Sequence, residues 1–107
     1  MVSDAQTRRL EALRGMLEAD PDDAFALYGL AIELKIMGDL EAAEPLLRRL
    51  LVVDPNQLYG YYQLGEVLLA DGENDDAAEV LRAGVERARG AGDGKALNEL
   101  SALLDMC

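Results

Sequence analysis

Leucines and alanines recur along this chain at three- and four-residue spacings, interrupted by short runs of Asp, Gly and Pro. Such spacing gathers apolar side chains on one face of an α-helix, and the interruptions supply caps and stops. From Ser3 to Ala19 the face is Leu10, Leu13, Met16 and Leu17, closed by Asp20-Pro21. A second pattern runs from about Ala24 to Met37, with Leu27, Leu30 and Leu34 on one side, and stops at Gly38. Asp39 is placed to cap a third helix, whose stripe of Leu40, Ala43, Leu47, Leu50 and Leu51 ends at Asp54-Pro55. Leu58 to Ala70, Asp75 to about Arg89, and a segment capped by Asp93 with Ala96, Leu97, Leu100, Leu103 and Leu104 bring the expectation to about six helices. No stretch alternates with period two, so an all-α bundle or solenoid is predicted. Pro45 lacks a backbone donor and predicts a local bend or a later start of the third helix. The glycines between Gly90 and Gly94 predict a flexible joint.

The chain also resembles itself. Asp20-Pro21 returns as Asp54-Pro55, Leu30 as Leu64, Gly38 as Gly72, Ala43 as Ala77 and Leu47 as Leu81, each shifted by 34 residues (55 − 21). A fixed period of this length is the mark of stacked supersecondary units, each one helical hairpin. The expected organisation is a single domain over 1–107, with an N-terminal capping helix at 3–21, repeats at 24–57 and 58–91, and a C-terminal capping helix at 92–107.

The repeated residues resemble the tetratricopeptide family. Leu27, Leu30-Ala31, Leu34, Ala43, Leu47 and Pro55 follow its pattern in the first unit, and Tyr61, Leu64-Gly65, Leu68, Ala77 and Leu81 follow it in the second. Two departures fall at the ends: Arg9 stands where a small residue belongs, and Arg89 where a third Pro is due. The resemblance implies an α-solenoid with a right-handed superhelical path, of the kind found as small stand-alone bacterial proteins. It also implies a protein-interaction role on the concave side, which the first helix of each repeat lines.

The residues point to that side independently. At 100° per residue, Phe25, Tyr28, Ile32 and Ile36 lie nearly opposite Leu27, Leu30 and Leu34, so the helix has two apolar faces. One repeat later Tyr59, Tyr62, Glu66 and Leu69 lie opposite Tyr61, Leu64 and Leu68. Phe25 with Tyr59, and Tyr28 with Tyr62, are 34 apart (59 − 25) and would stack into an aromatic band, with Lys35 and Glu66 setting its polarity. The expected partner-binding set is Phe25, Tyr28, Ile32, Lys35, Tyr59, Tyr62, Glu66 and Leu69. The same rings have a packing role open to them, against the N-terminal helix, the neighbouring repeat or the last helix. Some relatives grip a C-terminal carboxylate with Lys and Asn, but here those places hold Tyr28, Ile32, Tyr62 and Glu66, so that mode is not expected.

Composition narrows the chemistry. With 21 acidic against 10 basic residues, a net charge of −11 opposes binding to phosphate backbones and anionic lipid. The partner is expected to be a protein or peptide with apolar anchors and some basic character, or a second copy in a symmetric homodimer. Neither nucleic acid nor membrane is expected to bind. There is no histidine, and the one cysteine, Cys107, is the last residue, so no catalytic, metal or cofactor site is anticipated and no enzyme activity. Asp71 to Asp76 superficially matches a calcium loop, but Asp76 replaces the required Gly and Arg82 the closing Glu. The lone cysteine and the lack of a secretory or membrane-spanning pattern give a cytoplasmic expectation.

Overall fold

The computed structural model describes residues 2–107, and six α-helices account for most of them: α1 (Asp4–Ala19), α2 (Ala24–Ile36), α3 (Leu40–Val53), α4 (Leu58–Ala70), α5 (Asn74–Ala91) and α6 (Gly94–Leu104). All but α4 and α5 begin at a capping side chain. The side chains of Ser3, Asp23, Asp39 and Asp93 accept the backbone N–H three residues on, at Gln6, Ala26, Ala42 and Ala96. This satisfies one donor that a helix start otherwise leaves unpaired.

The stops are equally local. Gly38, Gly72 and Gly92 all have positive φ (82°, 77° and 68°). The residue after each returns its N–H to a carbonyl five back: Asp39 to Leu34, Glu73 to Leu68, and Asp93 to Ala88. These are glycine-terminated Schellman turns, in which the left-handed residue is most easily a glycine. The third one corrects the flexible joint expected at Gly90–Gly94. α5 continues through Gly90 to Ala91, and only Gly92 and Asp93 separate it from α6. Helix α5 therefore runs 18 residues where α3 runs 14, and α6 starts 36 residues after α4 (N-cap 93 − 57) instead of 34.

Pro45 lies inside α3, which begins at Leu40, so the later start is not observed. Asp39 caps the turn ahead of the proline, and Pro45 itself is exposed, as is Glu41, whose carbonyl loses its partner four residues on. Water can take up that carbonyl.

Each helix packs on the next, α1 on α2 through to α5 on α6, while α4 also touches α2 on one flank and α6 on the other. Small residues set how close the helices come. A Cβ on Gly65 would lie 2.5 Å from Cδ2 of Leu81, so the Leu81 side chain of α5 packs directly onto the α4 backbone there. Leu27, Leu30, Leu34, Leu47 and Leu50 fill one core with Leu64 and Leu68, and a second core joins Tyr61 and Leu81 to Ala96, Leu100 and Leu103. No polar or charged residue among those described is buried. The result is an elongated stack of 37 × 26 × 20 Å.

Candidate partner-binding surface

One side of the stack is formed by α2, α4 and α6, and it carries the residues left over after the cores are filled. On α2, Phe25 is 73% exposed, and Tyr28, Ile32 and Lys35 are half-buried. On α4, Tyr59, Tyr62, Glu66 and Leu69 are all half-buried. Of the eight residues expected at a partner site, none is enclosed in a core and only Phe25 stands fully in solvent.

Leu69 packs against both cores, and the other seven fall into three groups. Tyr59 and Tyr62 form one, with ring centroids 6.4 Å apart at an interplanar angle of 61°, an edge-to-face pair one turn apart on α4. Lys35 and Glu66 form the second. The Lys35 ammonium donates to Glu66 Oε1 at 2.6 Å and to Gln63 Oε1 at 2.7 Å, bolting α2 to α4. Their charges are thus directed at each other, and the polarity that they give the surface is close to neutral. Phe25, Tyr28 and Ile32 form the third, on the flank of α2 that turns toward α1, where they line a groove of about 430 Å³ with Leu13 and Met16.

Glu99 is a functional candidate outside the expected set. Burial raises the Tyr59 phenol above its ordinary pKa, and the charge of Glu99 on α6 adds to the rise. Tyr62 is raised first by burial, then by the charges of Glu66 and Glu99. The Glu99 charge thus acts on both rings, with the exposed Lys95 ammonium 3.9 Å from its carboxylate. The 34-residue offset hides it, because counting from the α6 cap pairs Glu99 with Gln63 (99 − 36). Only the extra turn of α5 brings it into register.

Tyr61, the remaining tyrosine, points the other way. It is buried, and its hydroxyl donates to the carbonyl of Pro55 at 2.8 Å. Arg9, one of the two departures from the repeat pattern, turns its guanidinium onto Glu33 of α2 at 3.0 Å and remains largely exposed. The described residues contain no cluster of three potential metal ligands, and no helix among them is long and apolar enough to cross a membrane.

Comparison with known proteins agrees with this geometry. A family model of the tetratricopeptide repeat matches residues 34–104. The chain belongs to the tetratricopeptide repeat family. A tetratricopeptide repeat domain protein from Salinibacter ruber is 33% identical, over 77% of this chain and 92% of that one, with a TM-score of 0.71. The TPR2B domain of yeast Sti1, solved in complex with pHsp70, superposes with a TM-score of 0.85 at 21% identity, covering 94% of this chain and 80% of that one. The Yersinia enterocolitica type III secretion translocator chaperone SycD superposes with a TM-score of 0.86 at 18% identity, covering 95% and 71%. At those identities the last two show a shared fold alone. No curated protein sequence matches the chain. The tetratricopeptide pattern accounts for the buried leucines, the small residues and Tyr61, while Tyr28, Tyr59 and Tyr62 pack only against the edges of the cores and Phe25 is exposed.

Proposed function

We propose that this tetratricopeptide repeat protein is an interaction module that holds a helix or extended peptide of a partner protein along the wall formed by α2, α4 and α6. The observation that carries the reading is the state of the rings. Phe25, Tyr28, Tyr59 and Tyr62 lie on the first helices α2 and α4, none of them enclosed in a core, with Phe25 exposed and the other three half-buried. A rigid aromatic ring with a polar tip is the side chain most able to anchor a partner at small entropic cost. The Sti1 domain and SycD, a complex with pHsp70 and a translocator chaperone by description, are interaction proteins on the same fold. The partner segment suited to this wall has apolar or aromatic anchors for the rings. A basic residue near Glu99 completes it, because Lys35 holds Glu66 at 2.6 Å while the exposed Lys95 stands 3.9 Å from Glu99.

The test is to select binders from a phage-displayed peptide library against the intact chain and titrate the winners against variants. Tyr62→Ala is expected to weaken them about tenfold or more, with the helical circular dichroism unchanged. Unchanged affinity removes the wall assignment.

The exposed apolar side chains Phe25 and Ile36 favour one other reading, a symmetric homodimer through the same face or through α6. Light scattering separates the two. A monomer at high concentration excludes the dimer, and a dimer that buries Tyr28 and Tyr62 excludes the partner wall.

A further inference from the structure

α4 meets α2 on one flank and α6 on the other, and the two contacts share one register. Across the first, Gln63 of α4 accepts from the Lys35 ammonium of α2 at 2.7 Å, and Glu66 accepts from it at 2.6 Å. Counted from the caps Gln57 and Asp93, α6 follows α4 by 36 residues (93 − 57). The burial pattern agrees, because Gly60, Leu64 and Val67 of α4 and their counterparts Ala96, Leu100 and Leu103 of α6 are all buried. Glu99 therefore takes the place of Gln63 (99 − 36). The residue of α4 that answers to Lys35 of α2 is Leu69 (35 + 34), half-buried and packed against both cores. The second contact thus has a full carboxylate where the first has an amide, and an apolar side chain where the first has its cation.

Among the described residues, the ion pair of Glu99 is with Lys95, one turn earlier on α6, at 3.9 Å and beyond hydrogen-bond length. The Lys95 side chain is 82% exposed, so this pair is screened by water and readily displaced. Two phenol rings lie in the field of the same carboxylate. Tyr59 and Tyr62 are half-buried and paired edge to face, and the Glu99 charge acts on both. A cation brought to Glu99 from outside therefore also meets aromatic surface, where the ring quadrupole attracts it. Of the two common cationic side chains, arginine fits better. Lys95 shows an ammonium that has the chance to close on Glu99 and stays in water instead. A guanidinium is more weakly hydrated, and it stacks on a ring while donating in its own plane to a carboxylate.

Resting on the interaction wall proposed above, we infer that the partner's basic anchor is an arginine, laid against the Tyr59–Tyr62 pair with its guanidinium on the Glu99 carboxylate in place of Lys95. It supplies from outside the cation that Lys35 supplies within the fold. The net charge of −11 draws any basic segment toward the chain, and the rings beside Glu99 make the choice between arginine and lysine.

The probe is the tightest library-selected peptide, labelled and titrated by fluorescence anisotropy into the full chain, alongside versions in which each arginine is changed singly to lysine or to citrulline. At one position, citrulline, which keeps the shape and loses the charge, is expected to weaken binding at least about tenfold, and lysine about fivefold. In the Glu99→Gln chain the arginine peptide is expected to lose about tenfold and the citrulline peptide less than about twofold, so the two changes are coupled. Glu99 is half-buried and glutamine keeps its shape, so the variant is expected to fold, with circular dichroism as the check. Lys95→Gln is expected to leave the arginine peptide as tight or tighter. Glu79→Gln, which removes a charge from the exposed face of α5, is expected to change nothing. Selected peptides without arginine, equal affinity of the arginine and lysine versions, or additive losses in Glu99→Gln overturn the arginine anchor, and the wall stands if Tyr62→Ala still weakens binding. A library that yields no binder, or binders indifferent to Tyr62→Ala, removes the wall and the anchor together.

Discussion

Gly84 and Tyr61 meet so closely that a Cβ on the glycine would lie 2.6 Å from Cβ of the tyrosine. The contact brings α5 onto α4 at the point where the second core begins, and it is made possible by a missing side chain in a helix interior. Glycine there costs about 1 kcal/mol of helix propensity relative to alanine. Gly84→Ala recovers that propensity but forces Tyr61 aside, and overpacking of this kind costs about 1–3 kcal/mol. The net expectation is a lower melting temperature. Gly15→Ala makes the contrast, since the space around Gly15 in α1 is open. It is expected to stabilise by about 0.5–1 kcal/mol. Thermal unfolding of both variants checks the signs, and equal shifts would refute the close approach.

Pro45 gives a second stability prediction. It leaves the Glu41 carbonyl without its helical partner in an exposed second turn of α3. Pro45→Ala restores the N–H and is expected to raise stability by about 1–3 kcal/mol, read from the denaturation midpoint. A destabilised variant would mean that the proline stiffens the unfolded chain more than it weakens the helix.

The Lys35–Glu66 pair joins α2 to α4 with both side chains partly open to water. Screening limits such a pair to about 0.5–1 kcal/mol. Glu66→Gln is expected to lower stability by no more than that in low salt, with the difference shrinking in about 1 M salt. A loss of several kcal/mol would show that the pair is far less hydrated than its exposure implies.

Tyrosine ionisation reads the local field of the wall. Both Tyr59 and Tyr62 are raised by burial, and the Glu99 charge adds to both. A phenol raised in the folded state contributes stability that is fully present below its unfolded pKa of about 10 and is lost as pH rises through the folded value. The phenolates of Tyr59 and Tyr62 are therefore expected to form above the ordinary tyrosine range, with a weakening fold above about pH 10. In Glu99→Gln both transitions are expected to move down. A single transition near the ordinary value, unaffected by Glu99→Gln, would remove Glu99 from the wall.

Most of the fold was legible in the sequence because it is written locally. Asp39 and Asp93 as caps, Gly38 and Gly72 as stops, and Leu27, Leu30, Leu34, Tyr61, Leu64 and Leu68 as core positions all follow from spacing. Two features required the structure. The Gly90–Gly94 stretch reads as a joint by composition, yet three of its residues, Gly90, Ala91 and Gly94, are helical, since an exposed helix tolerates glycine when its neighbours are packed. The extra turn of α5 then shifts α6 by two residues, and with it Glu99, which no 34-residue count would place beside Tyr59. The division of the candidate residues was likewise hidden. A helical wheel puts Phe25, Tyr28, Ile32 and Lys35 on one side of α2 but cannot tell that the first three line the groove beside α1 while Lys35 reaches across to α4.

The central claim is that the tyrosine-lined wall is where a partner protein is held. Amide chemical-shift mapping of the isotope-labelled chain, titrated with a library-selected peptide, tests it most directly. The expected shifts concentrate on α2, α4 and α6 around Tyr28, Tyr59, Tyr62 and Glu99. Shifts confined to the opposite side, around Val52 and Ala83 on α3 and α5, would contradict it.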